Sequence, residues 1–303
     1  MKFMNWIIVA IIAQFLFALV FTLDKFFVSK TPLKPVVYAF YAGTLQILVL
    51  VFIPFGFKMI PPFQILIGLL SGALFVLASL LFYKSIQLKE ISRIAPVVGG
   101  LIPIFTLFLS FLFIQERLTS IQLAAFLLLV LGGIIMLLPA KERLKFSFLT
   151  APALGVILLS SLFFSGSFVL SKYIFLKQPF INGLIWTRLG AFLMAGLFLL
   201  FPPNRKLIFK KTKVLEKKTV GLFFLNKGFS ATAFILLNYA IFLGSVSLVN
   251  ALQGVQYVFL LLIGVFLSVK FPQIIKEQIN KEAIFQKIAA IVFIGAGLAI
   301  LAW

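Results

Sequence analysis

Ten long apolar runs, separated by short polar stretches, organise the chain. Each run has 18 to 23 residues, and a helix of about 20 residues spans the hydrocarbon core of a bilayer. Continuous runs of this length exclude barrel strands, which are shorter and alternate in polarity. The predicted membrane helices cover residues 6–23, 36–55, 63–83, 94–114, 121–138, 152–173, 181–201, 220–239, 247–269 and 283–301.

A short pattern occurs twice, once in each half of the chain. The octapeptide FTLDKFFV at 21–28 closes the first run, and FVLSKYIF at 168–175 closes the sixth, 147 positions later. Further matches pair Gly72 with Gly228, Tyr83 with Tyr239, and Gly132 with Gly297. The chain therefore contains a diverged internal duplication.

The duplication has a consequence for topology. Each copy holds five runs, and an odd number of membrane crossings inserts the second copy upside down. Inverted repeats around a central site are typical of secondary transporters. The sequence thus predicts an all-α integral membrane protein with ten transmembrane helices, arranged as inverted five-helix repeats over residues 1–140 and 150–303.

Composition removes several kinds of chemistry. Apolar residues make up 63% of the chain, and cysteine and histidine are absent. The sequence therefore offers no disulfide, no thiol nucleophile and no Cys or His metal ligand. Its seven acidic residues include none deep in a run, whereas membrane phosphotransferases need clustered carboxylates that hold metal. We expect no metal, no cofactor and no enzymatic activity.

The net charge of +20 comes from the connections between runs. We call the connections after runs one, three, five, seven and nine the odd side, and the others, with both termini, the even side. About 20 of the 27 basic residues lie on the odd side, including the basic stretches 205–218 and 270–281. The positive-inside rule then places the odd side in the cytoplasm. These charges predict contact with membrane lipids and not with nucleic acid.

Two basic residues lie well inside predicted membrane helices. Arg188 belongs to the seventh run and Lys227 to the eighth. A charge at the bilayer centre is costly, so such residues usually mark a functional site. Two cations without an acid favour an anionic substrate, although a zwitterion also fits. The alternative is that the long side chains extend to the interface.

Uncharged polar residues supply further candidates for substrate contact. Asn250, Gln253 and Tyr257 are spaced to share one helix face, which indicates a wet cavity, although such residues also join helices. The full set of candidate substrate-binding residues is Arg188, Lys227, Asn226, Asn238, Tyr239, Asn250, Gln253, Gln256, Tyr257, Gln14 and Tyr41.

Several motifs give the chain a family resemblance. Ile94-Ala-Pro96, then Glu116-Arg-Leu-Thr119, then a fifth run with Gly132-Gly133, resemble the first repeat of the EamA family in the drug/metabolite transporter superfamily. Arg188 in WTRLG resembles an arginine common near the start of a repeat's second helix. The second repeat departs from the pattern, because no proline corresponds to Pro96.

The resemblance implies a carrier for amino acids, metabolites or nucleotide conjugates, working by alternating access in the cytoplasmic membrane of a bacterium or archaeon. It also implies that both termini lie inside, opposite to the charge bias. The resulting hypothesis is a permease that moves a small metabolite such as an amino acid or organic anion. A lipid flippase for a lipid-linked phosphate or sugar is the second hypothesis, and a membrane enzyme is disfavoured. Since one chain supplies both repeats, a monomer suffices, and a homodimer is also compatible.

Overall fold

The computed structural model describes residues 2–28, 34–88, 91–137, 151–209, 217–270 and 281–302. The basic stretch 210–216, most of the connection 270–281 and the polar hinge 141–145 lie outside the described residues. In the first half, the helices are α1 Lys2–Val28, α2 Pro35–Thr44, which continues as a 3-10 helix Leu45–Phe55, α3 Pro62–Leu88, α4 Ile91–Ile114 and α5 Ser120–Leu137. In the second half they are α6 Ala151–Lys177, α7 Phe180–Leu197, α8 Pro202–Ile208, α9 Lys217–Leu243, α10 Val246–Ala251, α11 Gln253–Lys270 and α12 Lys281–Ala302.

Helical structure covers nearly all of the described part of each predicted apolar run, because helices satisfy their backbone hydrogen bonds locally inside hydrocarbon. In the described part of the chain, nine helices are long and apolar enough to cross a membrane. The predicted eighth run forms α9, which is not among the nine. A count of ten spans is therefore not confirmed.

Three runs deviate from a single regular helix. The second changes to 3-10 geometry at Leu45 and ends before Gly56, whose φ of 137° is readily adopted only by glycine. The seventh continues after α7 as a short 3-10 helix, Phe198–Leu200. The ninth is interrupted at Leu252, which separates α10 from α11. None of these changes was predicted from the apolar pattern.

The two halves of the chain pack mainly on each other. The helix α3 lies against α6 and α7, α1 lies against α9 and α11, and α4 lies against α6. The largest hydrophobic core accordingly combines residues of α1 and α5 with residues of α6 and α9–α12. The division into two repeats at residues 140–150 stays a prediction.

Glycines allow the closest of these helix contacts. A Cβ on Gly72 of α3 would overlap the carbonyl oxygen of Thr187 on α7, and a Cβ on Gly190 would overlap the backbone of Leu69. The α3 and α7 backbones therefore touch directly, which positions Arg188, one residue after Thr187, at the centre of the helix assembly.

Candidate functional site

Arg188 is buried in the middle of the helix assembly. It lies on α7, where every residue from Asn182 to Arg188 is buried, and only 8% of its surface is exposed. The side chain therefore does not extend along the protein surface to the membrane interface, so the structure favours an internal role for Arg188.

The guanidinium group of Arg188 contacts aromatic rings. Its Cζ atom lies 5.8 Å from the ring centroid of Phe75 and 5.9 Å from that of Phe234. Ring faces attract a cation electrostatically, but they offer no strong acceptor to its five N–H donors. Among the described residues, no hydrogen bond or ion pair to Arg188 is found. Because buried donors are normally satisfied, this guanidinium is suited to bind an anion.

Phe75 and Phe234, which contact Arg188, pack in turn on two further phenylalanines, so that four helices contribute to one aromatic cluster. We call Phe17 (α1), Phe75 (α3), Phe164 (α6) and Phe234 (α9) the phenylalanine cluster. Their ring centroids lie 4.9 Å apart for Phe17–Phe234, 5.2 Å for Phe75–Phe234 and 5.6 Å for Phe75–Phe164, all in edge-to-face geometry.

Sequence reasoning missed this cluster, although one signal was present. Phe17 and Phe164 are 147 positions apart, which is the spacing between the two copies of the repeated octapeptide. With 39 phenylalanines in the chain, that coincidence is only informative once the helices are seen to meet. The cluster lies where helices of both halves converge on Arg188.

The other predicted cation lies on the same helix as one ring of the cluster. Lys227 is half-buried on α9, seven residues before Phe234, and its neighbour Asn226 is fully buried. The next residue, Gly228, has no described atom within 4 Å of the position that a Cβ would occupy. The flank of α9 near Lys227 is therefore open.

Further along α9, Asn238 and Tyr239 have different environments. The amide nitrogen of Asn238 donates to the carbonyl oxygen of Phe234 at 2.8 Å. Its Oδ1 atom is buried and has no hydrogen-bond partner among the described residues. The ring of Tyr239 is 37% exposed and stacks on Phe242, with the edge of Phe180 at 5.0 Å. Asn238 thus offers a buried acceptor, whereas Tyr239 belongs to an aromatic patch at the surface.

The expected polar stripe on the ninth run is not continuous. The interruption at Leu252 separates Asn250, on α10, from Gln253 and Tyr257, on α11. The Asn250 amide donates to the carbonyl oxygen of Val246 at 2.8 Å, so this residue bonds to its own helix. Leu252 itself keeps right-handed helical dihedral angles, and the prediction that the three side chains share one helix face stays a prediction.

Two further candidate residues of α11, Gln256 and Tyr257, are buried. A Cβ on Gly99 of α4 would overlap the hydroxyl of Tyr257, so Tyr257 fills the space that this glycine leaves. Gln256 is only 3% exposed, and its Nε2 atom has no hydrogen-bond partner among the described residues. Tyr257 therefore contributes to packing, and Gln256 retains a buried donor.

The two candidate substrate-binding residues in the first half of the chain differ in their exposure. Gln14 on α1 is 3% exposed, whereas Tyr41 on α2 is 47% exposed and packs edge-on against Phe40. Tyr41 takes the repeat position of Arg188, but it does not lie in a comparable buried environment. The structure therefore does not give the two halves equivalent polar sites.

Lys172, near the even-side end of the sixth run, is a second buried cation and is only 8% exposed. It lies inside α6, whereas most basic residues of the sequence lie in the connections between runs. Its Nζ atom donates to the carbonyl oxygens of Ile241 at 2.8 Å, Phe242 at 3.3 Å and Gly244 at 2.6 Å. The first two carbonyls belong to the last turn of α9 and the third to the residue that follows it, a region where helices leave their last carbonyls unpaired. Lys172 therefore caps the C-terminus of α9.

Glu116 caps the helix that follows. Its carboxylate accepts hydrogen bonds from the backbone nitrogens of Val246 at 3.1 Å and Ser247 at 3.3 Å, and from the Ser247 hydroxyl at 2.6 Å. An anion is favourable at a helix N-terminus. Together Lys172 and Glu116 hold both sides of residues 244–245, which we call the α9–α10 turn. A Cβ on Gly244 in this turn would come 2.6 Å from the Trp6 ring.

The described residues contain no group of three or more His, Cys, Asp or Glu side chains that could hold a metal ion.

Three comparisons place the chain among known proteins. Residues 4–138 match the model of the EamA-like transporter family. A solved structure, described only as "Crystal structure of protein", has a TM-score of 0.67 and 17% sequence identity, covering 98% of this chain and 96% of that chain. At that identity the likeness shows the fold alone. No curated protein matches the chain. Nine helices of the described residues are long and apolar enough to cross a membrane, which indicates a multi-pass integral membrane protein.

Proposed function

Because residues 4–138 belong to the EamA-like transporter family, we propose that this chain is a secondary transporter for a small organic anion. In this proposal ten membrane helices form two inverted five-helix repeats, and the substrate binds between the repeats. Family members are transporters, which agrees with the prediction that the chain is not an enzyme. The observation that carries the proposal is the buried Arg188 guanidinium, which has aromatic contacts but no hydrogen-bonding partner among the described residues.

The pattern of helix contacts supports the inverted repeat. An exchange of the halves relates α1 to α6, α3 to α9, and α4 to α10–α11. Under this exchange, the contact of α3 with α6 corresponds to that of α9 with α1, and the contact of α4 with α6 corresponds to that of α11 with α1. All four contacts are present. A two-fold relation explains this correspondence more simply than independent packing does.

The contact between α5 and α12 supports the same relation. A Cβ on Gly132 would lie 2.7 Å from Ile294 and 3.0 Å from the Ala290 carbonyl oxygen. A Cβ on its repeat counterpart Gly297 would lie 2.8 Å from Leu129 and 3.0 Å from the Ala125 carbonyl oxygen. Each glycine thus admits a bulky residue and a backbone carbonyl of the other helix, as a pseudo-two-fold axis between the helices requires.

The α9–α10 turn supports a mechanism of alternating access. In this conformation Glu116, from the first repeat, and Lys172, from the second, bind the same turn on the even side. Opening a path to the even side requires relative movement of the repeats, and this movement would strain or release these bonds. The turn therefore acts as a tie that holds the even side closed.

A lipid flippase of the same fold remains the second candidate, and one observation favours it. Gly72 packs directly on α7, whereas its counterpart Gly228 on α9 faces open space. An open flank on one side of the assembly would admit a lipid-linked phosphate laterally. Selective binding of lipid phosphates over soluble anions would favour this alternative.

A flux assay tests the transporter proposal. Wild-type protein and Arg188→Met are reconstituted into liposomes, and uptake of labelled monocarboxylates, dicarboxylates, amino acids and sugar phosphates is measured. We expect saturable flux of at least one organic anion by the wild type. We expect a loss of roughly 30-fold or more in Arg188→Met, because hydrogen bonds to a charged group contribute about 1.5–3 kcal/mol each.

Arg205→Met is the matched control, since Arg205 is exposed on α8. It should retain wild-type flux. Equal flux from Arg188→Met and wild type, or no anion flux from correctly folded wild-type protein, would contradict the proposal.

A further inference from the structure

The environment of Arg188 restricts the class of anion that it can bind. The guanidinium lies over the faces of Phe75 and Phe234, and these rings contact Phe17 and Phe164. We propose that the substrate is a monocarboxylate with an aromatic or bulky apolar group and without an ammonium group; this inference rests on the proposed transport function. The substrate carboxylate binds Arg188, and its apolar group packs against the phenylalanine cluster in place of some contacts between the rings.

The first reason is that the single positive charge of Arg188 matches a substrate with a single negative charge. Arg188 supplies a single positive charge in this cluster, and a guanidinium matches a carboxylate in a bidentate geometry. The ring faces around it carry negative electrostatic potential. A phosphate dianion would leave one charge without compensation among these rings. A single carboxylate is neutralised by Arg188 alone.

The second reason concerns a positively charged group on the substrate. None of the seven acidic residues lies deep within an apolar run. The carboxylate of Glu116 is bound to the backbone at the α9–α10 turn. The ring faces of Phe75 and Phe234 are already in contact with Arg188. The ammonium group of an amino acid would therefore find no carboxylate to neutralise its charge in this cluster.

The third reason is the apolar character of the cluster. Phe17 and Phe75 are 8% and 7% exposed, and Phe164 and Phe234 are only partly buried, so the cluster is not sealed. Four phenyl rings present neither donors nor acceptors to the hydroxyls of a sugar or polyol. They do provide edges and faces for another ring at the usual spacing of aromatic pairs. A phenyl or branched aliphatic body fits this chemistry.

Four matched probes test the assignment on wild-type protein in detergent. Binding of 3-phenylpropanoate, acetate, phenylalanine and phenyl phosphate is measured by isothermal titration calorimetry and by thermal shift. We expect 3-phenylpropanoate to bind on the order of 100-fold more tightly than acetate, because the ring is buried among apolar groups. Phenylalanine and phenyl phosphate should bind at least about tenfold more weakly than 3-phenylpropanoate.

Two alanine variants of α1, one inside and one outside the phenylalanine cluster, show whether the cluster contributes to binding. Phe17→Ala removes a ring of the cluster, whereas Phe15→Ala removes a ring of α1 that is 40% exposed and packs on Phe259. We expect roughly tenfold or greater loss of 3-phenylpropanoate affinity in Phe17→Ala and none in Phe15→Ala. If Phe17→Ala does not fold, Phe17→Leu replaces it, and the wild-type probe series decides the question without any variant.

The outcomes separate this inference from the transport proposal. Binding of acetate, phenylalanine or phenyl phosphate as tightly as 3-phenylpropanoate would overturn the substrate class. Arg188-dependent flux of a different anion, together with no binding of 3-phenylpropanoate, would overturn this inference and leave the transport proposal standing. Absence of any anion flux or binding would overturn both.

Discussion

Two basic side chains, Lys172 and Arg188, are equally buried in the same membrane assembly, at 8% exposure each. Lys172 has three N–H donors, and three backbone carbonyls accept from it within 3.3 Å. Arg188 has five donors, and its guanidinium lies over two phenylalanine rings without a hydrogen-bond partner among the described residues. The protein itself satisfies the first cation, whereas the second retains its capacity for an anion. Depth in the membrane therefore does not separate the two cations, whereas their hydrogen bonding does.

The largest effect on stability is expected from Lys172→Met, which keeps the apolar length of the side chain and removes its charge. The three carbonyls at the end of α9 then lose a charged donor, at a cost of about 2–4 kcal/mol. We expect the thermal midpoint in detergent to fall by roughly 5 °C or more. Lys177→Met, an exposed position at the end of the same helix, is the control and should keep the wild-type midpoint.

Arg188→Met should give the opposite pattern in the same assay without ligand. This substitution removes a buried charge that has no hydrogen bond to lose, so the midpoint should stay within about 2 °C of wild type or rise. A fall as large as that of Lys172→Met would mean that Arg188 is a structural residue, and the distinction between the two cations would fail.

Lys172 and Arg188 also show which features of the structure could be predicted from the sequence and which could not. The helices were predictable because apolar runs of this length have one stable backbone conformation in a bilayer. The depth of Arg188 followed from its position within the seventh run. The role of Lys172 did not, because it depends on carbonyls about 70 residues away, and a lysine near the end of a run otherwise resembles an interfacial charge.

Other errors have similar physical causes. The apolar pattern carried no signal for the interruption at Leu252, since the residues on both sides are equally compatible with one continuous helix. Tyr41 was proposed from its repeat position, but α2 leaves it half exposed. The phenylalanine cluster could not be selected among so many phenylalanines until the crossing of four helices was known.

Glu116→Gln tests the second charged residue that binds the α9–α10 turn, for comparison with Lys172. The amide keeps one acceptor oxygen but loses the charge, so the bonds to Val246 and Ser247 weaken. We expect a loss of about 1–3 kcal/mol in stability, smaller than that for Lys172→Met. If the turn also ties the even side closed, the variant should in addition shift the accessibility of a cysteine introduced at the exposed Leu243, next to the turn, to a membrane-impermeant thiol reagent. Unchanged stability together with unchanged accessibility would contradict this role of Glu116.

Ser247→Ala should have the smallest effect. The Ser247 hydroxyl bonds to Glu116 at 2.6 Å and to the Ser110 hydroxyl at 2.8 Å, and both partners keep other hydrogen bonds. We expect a cost of about 1 kcal/mol, measured as a small drop in the thermal midpoint with unchanged substrate affinity. A drop equal to that of Lys172→Met would show that the turn depends on this hydroxyl more than on the charged caps.

The most direct test of the central claim is to locate a bound carboxylate. A crystal structure with 3-(4-bromophenyl)propanoate, phased for the anomalous signal of bromine, would show both ends of the ligand. We predict the carboxylate within hydrogen-bonding distance of the Arg188 guanidinium and the bromine among Phe17, Phe75, Phe164 and Phe234. A ligand bound instead beside Lys227, with Arg188 still covered by Phe75 and Phe234, would contradict the assignment of Arg188 as the substrate's anion site.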